Sequence, residues 1–163
     1  MKTYKIVFLS LIFLNCTFTT PTLFSEKALQ DSFLSLDGKS IKFQEILKKH
    51  KGKKILIDVW ASWCADCIKG MPTIEKIQKE FPEIVFLFIS VDKNGKGWKN
   101  GIKKHTIKGE HYNLPKGMKN GDFVDFLNLN WIPRYLVVDE QGGVTLFKAT
   151  KSSDKKIVEA LKK

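Results

Sequence analysis

Arginine is nearly missing from this chain. Of its 28 basic residues only Arg134 is an arginine, and the rest are lysines. Surfaces that read bases rely on the arginine fork, which bonds a guanine edge at two points. The lysines here are also scattered rather than gathered in one segment. The formal charge of +11 therefore reads as a solvated basic surface, or as attraction to anionic lipid or an acidic partner, and no nucleic-acid partner is expected. Cysteine is as scarce, with Cys16, Cys64 and Cys67 the only three. That excludes a disulfide-rich scaffold, and the roughly 135 residues beyond the N-terminal segment can bury a core without one. Internal repeats and low-complexity segments are absent. A hydrophobic content of 43% with 12% aromatics rules out a disordered chain.

What is present begins with an address. Lys2 and Lys5 precede a mostly apolar run from Ile6 to Leu14, and small and polar residues follow. That order matches the n-region and h-region of a secretory signal. The run is shorter than the ~20 residues a spanning helix needs. Three outcomes are expected for this segment. Cys16 after Phe-Leu-Asn resembles a loose lipoprotein box, in which the cysteine is lipidated. Ordinary cleavage would fall between Thr20 and Ser25. An uncleaved anchor would use apolar residues as far as Phe24. Residues 1–25 are thus read as signal or anchor and 26–163 as one domain, exported to the bacterial cell envelope, in the periplasm or facing it. Disulfides form and persist there.

Alternating apolar residues around Asp37-Gly38 predict a β-hairpin from Phe33 to Phe43. A short helix is expected from Phe43 to His50. Lys54 to Trp60 reads as a strand buried on both faces. A helical pattern then opens at Cys64 and runs to Phe81, with a kink expected at Pro72. Ile84 to Val91 is a second buried strand. Helices are expected at Trp98–Ile107 and Asp122–Leu129, with a short extended piece at His111–Leu114 between them. Arg134–Asp139 and Val144–Lys148 form a second hairpin, and Ser153 caps a last helix. Such an order predicts an α/β fold, a mixed sheet with helices on both faces.

The stretch DVWASWCADC carries the chemistry. A zinc site would need two more ligands. His105 and His111 are the candidates, but 37 residues separate Cys67 from His105, too long for a compact zinc module. Both histidines are read instead as exposed side chains of a lysine-rich loop. A permanent bridge would close a tiny loop and remove little unfolded-state entropy. A redox pair fits best. Cys64 falls where a strand turns into a helix, and free N–H groups there favour a thiolate. Cys67 lies one turn deeper. Cys64 would attack a client disulfide, and Cys67 would then resolve the mixed disulfide.

ILIDVWASWCADC resembles the active-site segment of thioredoxins. The hairpin before it, Met71-Pro72 after it and WIPRYLVVDEQGG point to the TlpA/ResA-like extracytoplasmic thiol-disulfide oxidoreductases. The resemblance covers residues 30–163. It implies a thioredoxin fold with an N-terminal hairpin and an insertion between a central strand and a helix. It implies that Pro133 is a cis-proline facing the cysteines, with Ile132 beside it as a client contact; Arg134, next in the chain, is read either as meeting an acidic client surface or as a plain sheet-edge charge. Asp58 matches a buried acid that takes the proton of Cys67, and Trp63 would flank the pair. Ala65 and Asp66 occupy the dipeptide between the cysteines and would modulate it. Many relatives have proline where Asp66 stands, and the usual pattern has glutamate where Gly70 stands.

By this resemblance the chain is an enzyme that exchanges disulfides in envelope proteins, as a reductase recharged by a membrane donor. Preparing cytochrome c cysteines is one role within that class. No cofactor or metal is called for. A peroxidase would need a Thr or Ser and a proline upstream of a lone cysteine, which residues 55–64 do not supply. The remaining alternative is a metal-binding or folding-partner module on the same fold.

Overall fold

The computed structural model describes residues 20–163. In chain order the helices are α1 (Glu26–Gln30), α2 (Phe43–Lys49), α3 (Ala65–Glu80), α4 (Gly95–Lys104), α5 (Asp122–Phe126) and α6 (Lys155–Lys162). The strands are β1 (Ser32–Ser35), β2 (Ser40–Lys42), β3 (Ile55–Trp60), β4 (Val85–Ser90), β5 (Glu110–Asn113), β6 (Arg134–Val138) and β7 (Val144–Ala149). They form one sheet in the order β2-β1-β5-β4-β3-β6-β7. β3, β4 and β5 run parallel, β6 and β7 are antiparallel additions on one side, and the β1–β2 hairpin joins β5 on the other. This is the mixed sheet that the order of elements predicted, and its arrangement is the thioredoxin fold that the resemblance implied.

Every residue of β3 and β6 is buried, as a central strand covered on both faces requires. The hairpin forms because Gly38 takes a φ of 84°, open to glycine, and Ser35 N–H closes the turn on Lys39 O at 2.9 Å. α3 runs as one helix through Pro72, whose missing N–H leaves Ile68 O without its helical donor.

Several boundaries differ from expectation. α4 begins at Gly95, not Trp98, because Asn94 Oδ1 accepts from Lys96 N–H at 2.9 Å and starts the helix within a glycine-rich stretch. A Cβ on Gly101 would come 2.7 Å from Ser62 Cβ, so this helix can lie against the loop before Cys64 only with glycine at that place. α6 is capped by Asp154 and not Ser153; its carboxylate accepts from Lys156 N–H at 3.0 Å. His111 is not an exposed loop residue. It lies buried in β5, its Nε2 3.0 Å from Ile107 O and its ring stacked on Phe88, and burial draws its pKa down. His105, half-buried, ends α4.

The signal segment and Cys16 fall outside the described residues, apart from its last six. The packed part starts before residue 26. Thr22 O accepts from Val144 N–H at 2.8 Å, and Phe24 is buried. Its ring meets Phe43 edge-on at 4.9 Å and lies 6.4 Å from Phe123 and 5.3 Å from Phe126. Ser25 then caps α1, a helix the periodicity did not suggest.

Removing the Phe24 ring should cost about 3 kcal/mol, the usual loss for a buried Phe→Ala change. Urea unfolding of Phe24→Ala is expected to show it, and a chain starting at Ser25 should lose at least as much. Equal midpoints would mean that the ring adds nothing to the core.

Candidate active site

β3 delivers the chain to the site. Its last residue, Trp60, is fully buried, and Ala61 to Trp63 then turn the backbone into α3. Cys64 is the N-cap of that helix, in extended conformation, and its Sγ receives the Cys67 N–H at 3.1 Å. The two cysteines are joined by a disulfide with their Cα atoms 5.3 Å apart. Their exposures differ: Cys64 keeps 7% and Cys67 1%. In the open form the Cys67 N–H and the start of the helix dipole would face a thiolate on Cys64.

A buried carboxylate holds the turn before Cys64. Asp92, just past β4, accepts from Ser62 N–H through Oδ2 at 2.8 Å and from Ser62 Oγ through Oδ1 at 2.7 Å. Ser90 Oγ donates to Oδ2 at 2.8 Å, and Asn113 Nδ2 donates to Asp92 O at 2.8 Å. The ends of β4 and β5 thus fix the loop that carries Trp63 and Cys64. Sequence reasoning missed Asp92, Ser62 and Asn113. The available signal was an acid directly after an apolar strand, at the carboxyl end where parallel sheets place their sites.

Opposite the pair lies the turn into β6. The Ile132–Pro133 peptide is cis, and Ile132 O stands 3.7 Å from Cys64 Sγ. Trp131 precedes it with 56% of its surface exposed, and Trp63 precedes Cys64 with 64% exposed. Trp131 was not singled out from the sequence. Two open indole faces therefore lie immediately upstream of the two segments that meet at Cys64. Ala65 and Asp66 are exposed in the first turn of α3.

Arg134 is a correction. It was expected to meet an acidic client or to sit as a sheet-edge charge, but β6 is an interior strand and the side chain is fully buried. Its Nη1 donates to Leu127 O at 2.8 Å and Nη2 lies 3.4 Å from Asn130 Oδ1, so it anchors the loop that leads to Pro133.

Asp58 lies in the middle of β3, buried, with neither carboxylate oxygen hydrogen-bonded. Burial pushes its pKa well above the ordinary carboxylate value, so the protonated form is favoured far beyond the usual range. Its partner across the β3–β6 pairing is Tyr135. Burial, and then the Asp58 charge, push the Tyr135 phenol up as well.

The arrangement can do one kind of chemistry well: reversible opening and closing of a sulfur–sulfur bond. Known proteins agree. A thioredoxin-like family model matches residues 52–144, more than half of the chain. The thioredoxin-like protein YneN of Bacillus subtilis is 29% identical over 121 residues, covering 72% of this chain and 66% of its own length. The thiol-disulfide oxidoreductase ResA of Bacillus thuringiensis is 25% identical over 131 residues, covering 78% and 70%. Among solved structures, a candidate thiol-disulfide oxidoreductase of Bacteroides vulgatus superposes with a TM-score of 0.67 at 31% identity, covering 83% of this chain and 86% of that one. This chain belongs to the thioredoxin-like family, among its thiol-disulfide oxidoreductases.

Proposed function

We propose that this enzyme is a reductase of client disulfides outside the cytoplasm, in the cell envelope of a bacterium. The observation that carries the reading is the asymmetry of the pair: Cys64 caps α3 with a little open surface, while Cys67 is sealed one turn behind it. Cys64 thiolate attacks a client disulfide. Cys67, losing its proton to Asp58, attacks Cys64 Sγ and releases the reduced client. Trp63 and Trp131 are open to a client's apolar surface, and the cis segment at Ile132 and Pro133 would align its backbone. Each cycle leaves Cys64 and Cys67 bridged, so a donor must reduce them again, and a membrane protein is the donor that the envelope location calls for. Haem-protein maturation is one use of such an activity.

The apolar order of residues 6–14 supports export. The packing of Phe24 and the Thr22 O–Val144 N–H bond support a mature chain that keeps these residues, as lipidation at Cys16, cleavage at the early end of Thr20–Ser25 or an uncleaved anchor would do.

A Cys67→Ser variant should accumulate mixed disulfides through Cys64, seen as mercaptan-sensitive adducts on non-reducing gels, and the trapped proteins name the clients. If Cys67 proves the faster thiol to alkylate, the roles are reversed. If the pair instead holds metal tightly and never cycles in a glutathione buffer, the protein is a binding module.

Asp58→Asn should slow release from a preformed mixed disulfide by about tenfold to a hundredfold near pH 7, as expected on losing a general base. The same variant has a stability signature. Unfolded Asp58 releases its proton near pH ~4. Folded Asp58 keeps it well above that, so the native state of the parent binds more protons and loses stability as pH rises from there to the folded pKa. The variant lacks that loss, and its advantage in urea midpoint should widen with pH. Parallel pH slopes would mean that Asp58 is ionised in the folded protein.

A further inference from the structure

Asp58 has to gain and lose a proton in every cycle of the reaction proposed above, and this inference rests on that reading. Yet Asp58 is buried and hydrogen-bonded to nothing. A transverse row of the sheet runs through it, because β5, β4, β3 and β6 pair His111 with Phe88, Phe88 with Asp58 and Asp58 with Tyr135. Paired residues share a face of the sheet. Toward β5 the row is closed by the Phe88 ring, with buried His111 stacked behind it. Toward β6 the neighbour is Tyr135, fully buried, whose Oη also lacks a well-formed hydrogen bond.

Buried phenols normally find a partner, and a phenylalanine would fill the same space without the cost of an unsatisfied hydroxyl. The surroundings show what the hydroxyl faces. A Cβ on Gly70 would lie 3.1 Å from Tyr135 Oη and 3.1 Å from Ser152 Oγ. Gly70 is one turn beyond Cys67 on α3, and both hydroxyls border the room left by its absent side chain. Ser152 sits half-exposed in the turn between β7 and α6 and reaches the surface. Other charges stand apart. Arg134 points to the opposite face of β6 and bonds Leu127 O. Lys69 on α3 and Lys151 beside Ser152 are exposed, and Asp154 is engaged as the cap of α6.

We propose that the Tyr135 and Ser152 hydroxyls, which both border Gly70, are the path by which the Asp58 proton reaches solvent. Once Asp58 has released its own proton along this path, Cys67 S–H gives its proton to the Asp58 carboxylate. The resulting thiolate attacks Cys64 Sγ, the Cys64–Cys67 bond forms, and the bond to the client sulfur breaks. The electron pair leaves on the client thiolate, which takes a proton from water. The Asp58 carboxyl then donates to Tyr135 Oη while Tyr135 donates to Ser152 Oγ and Ser152 to water, restoring the carboxylate. A hydroxyl can accept and donate at one atom, which is the property such a step needs.

The test is single-turnover release from a preformed mixed disulfide on the full chain, followed by tryptophan fluorescence across pH in H2O and D2O. Tyr135→Phe keeps the ring and removes the hydroxyl. It should slow release about tenfold near pH 7, raise the solvent isotope effect and displace the pH profile. Ser152→Ala, on the surface side, should raise the isotope effect with a smaller slowing of about threefold, and serves if the Tyr135 variant does not fold. A stable Tyr135→Phe with the parent's profile and isotope effect overturns the path, as does an unaltered Ser152→Ala where that variant stands in. Asp58→Asn separates the two levels. If it is slow while the hydroxyl variants are not, the acid acts without this path. If it too is fast, the acid–base reading of Asp58 itself fails.

Discussion

The site depends on one junction, the point where β3 ends and α3 begins with Cys64 as its cap. A sulfur in that position lies next to free backbone N–H groups, and Cys67 N–H already reaches it at 3.1 Å. Helix geometry then places Cys67 one turn on, where bridging needs no movement of the backbone. Nothing in the pair itself holds this junction in place. Asp92 does, by binding both the N–H and the hydroxyl of Ser62, and Gly101 does by letting α4 approach that same loop.

Around the junction, polar groups divide into those that are satisfied and those that are not. Asp92 accepts three hydrogen bonds through its carboxylate, two from Ser62 and one from Ser90, and acts as structure. Asp58 and Tyr135 accept and donate none of good geometry, whereas His111 in the same row keeps one ring nitrogen bonded, to Ile107 O. An unsatisfied buried carboxyl is costly unless it is neutral, and that cost is what raises its affinity for a proton. A stability penalty and a usable proton acceptor are thus two aspects of one burial. The same contrast separates Arg134, which was read as a surface charge and instead anchors the loop to Pro133, from the two exposed tryptophans that remain open to a partner.

The aromatic cluster of Phe24, Phe33, Phe43 and Phe123 ties the N-terminal hairpin to α5, and Phe126 continues it to Phe147 of the second hairpin. Its first ring comes from the segment read as part of the export signal. The folded unit therefore reaches back into that segment.

The sequence by itself determined the strand–turn–helix around Cys64 and Cys67, the hairpin at Asp37-Gly38, the buried strands and the place of Asp58. These are local matters: apolar runs, turn residues and spacings of three or four along one chain segment. The tertiary structure alone decided that His111 is buried, that Arg134 turns inward, that Asp92 grips Ser62 and that Tyr135 lies beside Asp58 under Gly70. Those pairs are 23 to 77 residues apart or set by strand register and the order of strands in the sheet. Register and strand order arise from how whole faces pack, and no short stretch of residues encodes them.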